Sequence, residues 1–124
     1  MPRMPVPAKR DASFMNGVTE MLVLQLLARR AMYGYELVAA IRLATGDVVR
    51  AGEGGVYPLL HAMEHGGLLK SHARRHGGRE RLYYEPTAAG RKRLTQMKDH
   101  WLTLSTAIHA VLGGRDATTT TGPA

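Results

Sequence analysis

The residues that could do chemistry gather in one short stretch. His61, Glu64 and His65 have the spacing H-x-x-E-H. Two imidazoles one helical turn apart can hold zinc, and the carboxylate can serve as a base on bound water. Such a site needs another protein ligand. The 124-residue chain has no Cys, and beyond the motif it offers too little to build a cleft. His72 and His76 are the further imidazoles that would turn the motif into a metal sensor, but a His-only set is a weak metal signal. No GxSxG, P-loop or dinucleotide fingerprint occurs. The expectation is no enzyme, no metal and no cofactor, with His61 a surface group facing a polyanion.

Charge supports the polyanion. Lys and Arg number 17 against 10 Asp and Glu, a net charge of +7, with six His in reserve. In a small domain this balance suits nucleic acid or an anionic membrane. No apolar run is long enough to span a bilayer, and the N-terminus has no apolar leader segment. A membrane-surface helix would need a basic polar face along its length. In the last helix Arg91, Lys92, Arg93 and Lys98 cluster only near the start. A cytoplasmic protein binding nucleic acid is expected.

The elements that position these residues follow from periodicity. Residues 1–12, with three Pro and several charges, read as a flexible arm. A first helix is expected from about residue 13 or 16 to 29. Its Val18, Met21, Leu22, Val23, Leu24, Leu26 and Leu27 make it apolar on most sides. Phe14 and Met15 at its start are soft groups suited to a core or a pocket. Residues 31–34 connect to a second helix, about 34–44, with Leu37, Val38 and Ile41 inward. Thr45, Gly46 and Asp47 end it. The H-x-x-E-H stretch then forms a third helix. Val56, Leu59, Leu60 and Met63 make one apolar stripe, and the other face carries Tyr57, His61 and His65, with Glu64 at its border. Pro58 is read as first-turn, and Gly66 and Gly67 as the stop. Two short helices after a buried one make a helix-turn-helix, whose second member enters the major groove.

After Leu69 the period changes to that of strands. Residues 70–75 and 79–85 flank the turn signal His76-Gly77-Gly78. Leu82 and Tyr84 alternate with Arg81, Tyr83 and Glu85, as in a half-buried strand. Lys70, Arg74, Arg75, Arg79 and Arg81 lie in this hairpin against Glu80, placed for phosphate contact. Thr87 is the expected N-cap of a last helix over residues 88–112, with Gly90 where a capping-box Glu would stand. Leu94, Met97, Trp101, Leu104, Ile108 and Val111 are spaced 3, 4, 3, 4, 3, the seam of a coiled coil. Self-association is the natural way to cover it. Residues 113–124, with four consecutive Thr, read as a disordered tail.

Four motifs, MYGYEL (32–37), VYPLLHAMEHGGLL (56–69), GGRERLYY (77–84) and TAAGR (87–91), resemble in order and spacing the PadR family of bacterial transcription regulators. The resemblance covers roughly residues 14–112 and is to the subgroup with a single long C-terminal helix. It implies a winged helix-turn-helix on a homodimer, with the last helix embracing the partner and the wings flanking DNA. By analogy Tyr35, Tyr57 and the wing basics contact the backbone. It also implies release by a small, aromatic or drug-like ligand in a cavity at the dimer interface, where Trp101 stands at the matching distance from TAAG. Phe14, Met15, Val18 and Met97 are the other candidates to line it. The chain departs from the family pattern at Gly52 and Gly55, where Ser or Thr is common, and at Ala62, where a cation is. In the wing Glu80, Leu82, Glu85 and Pro86 intervene. Backbone N–H groups of Gly54 and Gly55 then approach phosphate, or contact shifts to Tyr57, His61 and the wing.

The expected protein is mainly α with a small β-hairpin. Its parts are an arm (1–12), a winged helix-turn-helix (13–86), a dimerisation helix (87–112) and a tail (113–124). It would bind a palindromic operator in double-stranded DNA as a homodimeric repressor. A regulator without effector, or a His-based metal sensor, is the alternative.

Overall fold

The computed structural model describes the backbone of residues 7–113 and the side chains of residues 17–113. The expected arm up to residue 6, the tail from residue 114, and the side chains of Phe14 and Met15 lie outside the described residues. The elements run α1 (Pro7–Arg29), β1 (Met32–Tyr33), α2 (Gly34–Ala44), α3 (Glu53–His65), β2 (Leu69–His76), β3 (Arg79–Pro86) and α4 (Ala88–Leu112). The chain divides after Leu94 into two compact units.

In the first unit α1 lies against α2 and β3, α2 against α3, and α3 against β2. Val23, Leu24 and Leu27 of α1, Leu37 and Ile41 of α2, and Val56 and Leu60 of α3 are sealed from water. These are the apolar stripes that the helical period marked out. Val38 and Leu59, expected inward with them, are half-buried at the margin. The start of α1 is a correction. It is helical from Pro7, so residues 7–12 are not an arm. Proline is well suited to a first helical position, and Ala8, Lys9 and Arg10 behind it are good helix formers.

The sheet has three antiparallel strands in the order β1-β3-β2, one more than the expected hairpin. Its turn is Gly77-Gly78, with φ +62° and +79°. A two-residue hairpin loop that twists with its strands needs such left-handed residues. The simple alternation expected for β3 fails at two places. Tyr84 is buried, as expected, opposite Ser71 and beside Met32. Burial, then the charge of Glu64 and the neighbouring Tyr57, raises its phenol pKa above the usual value. Leu82 on the same face is 50% exposed, because the hairpin there runs on toward its exposed tip. Tyr83, on the opposite face, is nonetheless buried, because Tyr33, His72 and Arg74 cover it.

The end of the first unit is tied to the exit of α3. The Thr87 hydroxyl donates to the Gly67 carbonyl (2.6 Å) and accepts from the Gly90 N–H (3.0 Å). The Thr87 N–H donates to the Leu68 carbonyl (3.0 Å). Thr87 is thus the N-cap of α4, as its sequence position suggested. Gly90 is required where it stands, since a Cβ there would lie 2.1 Å from the Leu68 carbonyl oxygen. Leu94 is buried, and Arg93 Nε lies 3.2 Å from Glu20 of α1.

The second unit, from Thr95, contains the rest of α4. Trp101, Leu104, Ile108 and Val111 of the expected seam are all exposed in the single chain, and Gly113 ends the helix with φ +120°. Among the described residues no helix is long and apolar enough to cross a membrane.

Candidate nucleic-acid interface

The turn between α2 and α3 sets where α3 begins. Thr45 Oγ1 donates to the Ile41 carbonyl (2.8 Å) and accepts from the Val49 N–H (3.0 Å). Gly46 and Asp47 both take left-handed φ, +61° and +68°. Asp tolerates that region better than most residues. Its carboxylate receives Arg42 Nε at 3.0 Å and Arg50 Nη2 at 2.9 Å. These two hydrogen bonds hold the Asp47 carboxyl below its usual pKa.

α3 begins with an uncapped turn. Gly52 is the N-cap and has no side chain to offer; its carbonyl accepts from the Gly55 and Val56 N–H groups, as that of any N-cap residue would. A Cβ at Gly52, Gly54 or Gly55 would meet nothing within 4 Å, and none has positive φ. Nothing within the fold demands glycine there. The helix starts at Glu53, so Pro58 stands in its second turn and not its first, a correction to the sequence reading. It leaves the Gly54 carbonyl without the donor that the residue four places on would supply.

The two faces of α3 separate as the period requires, with one exception. His61, Ala62 and His65 are exposed. Tyr57, expected on that face, is half-buried and turned onto α2, where a Cβ at Gly34 would lie 2.2 Å from its ring. Its aromatic body is used to pack two helices. Glu64 accepts a 2.6 Å hydrogen bond from the Ser71 hydroxyl, joining α3 to β2. That use of the carboxylate, with no cluster of three metal-ligating residues among those described, leaves the H-x-x-E-H spacing without a built metal centre.

The pleat sorts the wing basics. Cross-strand partners share a face. Lys70, His72, Arg74 and His76 of β2 therefore share the outer face with Arg79, Arg81, Tyr83 and Glu85 of β3. Arg75 is on the other face, opposite Glu80, and its Nη2 donates to the Gly78 carbonyl (3.2 Å) at the hairpin tip. Lys70, Arg74, Arg75 and Arg79 are exposed, whereas Arg81 is half-buried. Glu85 lies 3.7 Å from His72 Nδ1. Two tyrosines to which the sequence reading gave no functional role support this face: Arg74 Cζ lies 3.9 Å from the Tyr83 ring centroid and Arg81 Cζ 4.5 Å from that of Tyr33. A two-residue strand such as β1 has no period to read, which is why Tyr33 was missed.

Tyr35 is 60% exposed on the first turn of α2. Of the expected ligand-lining residues, Val18 in the first unit is half-buried. In the second unit Met97 is half-buried and Trp101 is 41% exposed.

Comparison with known proteins accords with this arrangement. A 73-residue stretch is 40% identical to a transcriptional regulator of Mycobacterium tuberculosis, covering 59% of this chain and 65% of that protein. The fold matches a PadR-like transcriptional regulator from Bacillus cereus at TM-score 0.72 and 29% identity, over 82% of this chain and 97% of that one. It matches a PadR family regulator from Eggerthella lenta at TM-score 0.72 and 27% identity, over 86% and 91% of the two chains. The model of the Transcriptional regulator PadR-like family matches residues 23–96. That span is more than half of the chain, which is therefore a winged-helix, DNA-binding transcriptional regulator of the PadR-like family and not an enzyme.

Proposed function

We propose that the protein is a homodimeric repressor acting on a palindromic operator in the cytoplasm. Two copies of α3 enter successive major grooves about one helical turn apart. The outer faces of the wings, through Lys70, Arg74, Arg79 and Arg81, hold the phosphate backbone, with Arg75 at the hairpin tip. Tyr35 joins them from α2. The bare start of α3 lets the N–H groups of Gly54 and Gly55 approach the DNA closely, and His61 faces it. Tyr57 acts from beneath, by fixing α3 on α2.

The observation that supports this reading is the sign of the wing surface. Four cations share one sheet face with a single carboxylate, Glu85, which lies beside His72. Dimerisation through Leu94, Met97, Trp101, Leu104, Ile108 and Val111 supplies the second half-site reader. Support for it comes from the exposure of the seam beyond Met97 in one chain. A small planar effector bound near Trp101 and Met97 would release DNA by favouring one dimer arrangement over another.

The test is an anisotropy titration with DNA from upstream of the protein's own gene. Binding should weaken steeply with salt, as counterion release requires. No salt-sensitive binding there or at neighbouring promoters refutes the proposal. The effector is tested by fluorescence of the single Trp against a panel of planar compounds. Quenching that accompanies DNA release is expected, and its absence across the panel makes this a ligand-independent regulator.

A further inference from the structure

The outer face of the wing contains an arrangement that ordinary sheet packing disfavours. Arg74 and Arg81 stand directly opposite each other across β2 and β3. Like charges so placed repel. Among the described residues no carboxylate lies within ion-pair distance of either one. Arg81 Nε is moreover shut off from solvent without a hydrogen-bond partner. An arginine serving only solubility would swing into water and satisfy that nitrogen.

Each guanidinium instead lies over a tyrosine, Arg74 on Tyr83 and Arg81 on Tyr33. The two rings meet edge to face, with centroids 5.4 Å apart. The His72 ring lies within 22° of parallel to Tyr83 at 6.1 Å, and its Nε2 is 3.5 Å from Arg74 Nη2. Tyr83 is almost wholly buried, so this layer is anchored in the fold. A stacked guanidinium keeps its planar fork fixed and ready for a phosphate, with less freedom to lose on binding.

We propose that Tyr33 and Tyr83 are positioning residues that hold Arg81 and Arg74 as preformed contacts for the phosphodiester backbone of DNA. The anion then relieves the repulsion between the two arginines. The inference rests on the DNA-binding reading above. It adds that the aromatic layer, and not charge alone, determines how well the wing grips.

Tyr33 is the residue to test, because it is half-buried on a two-residue strand whereas Tyr83 is in the core. The probe is a mixed-sequence DNA duplex, since phosphate contacts are independent of sequence. Tyr33→Leu should weaken binding by about three- to tenfold. Tyr33→Phe, which keeps the ring, should bind like the wild type. In an Arg81→Ala background Tyr33→Leu should cost nothing further, the signature of a coupled pair. Arg81→Ala itself should lower the slope of log affinity against log salt by about one. A Tyr33→Leu loss that persists without Arg81, or that Phe does not rescue, overturns the proposal. If Tyr33→Leu does not fold, Arg81→Lys keeps the charge without the planar fork. Weaker binding than wild type is then expected, and equal binding overturns the proposal. A wild-type protein that binds the duplex without salt dependence refutes the DNA-binding reading itself.

Discussion

Gly34 shows how much one absent methyl group can decide. It opens α2 and is buried, and the Tyr57 ring occupies the space its Cβ would take. Gly34→Ala should therefore destabilise the first unit by about 1–3 kcal/mol through overpacking, because the ring has a helix behind it. Denaturant unfolding measures this, and a variant as stable as wild type would show that Tyr57 can move aside freely. The pair also marks a boundary of what sequence can say. Tyr57 was assigned to the polar face of α3 by its angle around the helix, and the angle is right. No period reports that a glycine 23 positions earlier leaves a slot that draws the ring back.

Elements with a long, regular pattern were legible, and short or irregular ones were not. α2, α3 and α4 lie within a residue or so of where apolar spacing and the glycine stops place them. β1 has two residues and escaped notice, although it completes the sheet and brings Tyr33 to the wing. The link from α2 to α3 is an intermediate case. Thr45-Gly46-Asp47 was readable as a helix stop, but not as a site where one carboxylate bridges two arginines. The Asp47 pKa is lowered in the fold, so the stability it contributes is present above the ordinary, unfolded value and is lost as pH falls through the lower, folded value. Asn accepts the same left-handed backbone without the charge. Asp47→Asn should be less stable than wild type at neutral pH, and the gap should close as the solution is made acidic. Thermal unfolding across that range tests it; a gap that does not change with pH would assign the role to backbone geometry alone.

At the scale of the whole molecule, a single chain leaves much apolar surface in water. Trp101, Leu104, Ile108 and Val111 follow one another along α4 at seam spacing, and all are exposed. If two chains cover this seam, sedimentation should find the wild type dimeric at micromolar concentration. Ile108→Glu should make it monomeric and lower affinity for a two-half-site operator far more than for a single half-site. A monomeric wild type would remove dimerisation from the proposal. The family and the winged-helix fold were readable from four short motifs in order, because each motif records a local necessity. In GGRERLYY it is the left-handed hairpin turn, and in TAAGR the cap and the bare Cα on which α4 starts. The proposed effector site records no such necessity within one chain.

That last junction has a consequence for how such proteins can be recombined. Thr87, Gly90, Arg93 and Leu94 fasten the first two turns of α4 to the exit of α3 and to α1, all within the first unit. The reader is thus a finished cassette that ends at Leu94 with a helix already under way. Whatever segment is spliced on after that point inherits a started helix and requires no new linker. If the rest of α4 carries the effector contacts proposed above, exchanging the sequence after Leu94 would change them and leave the hydrogen bonds of this junction in place.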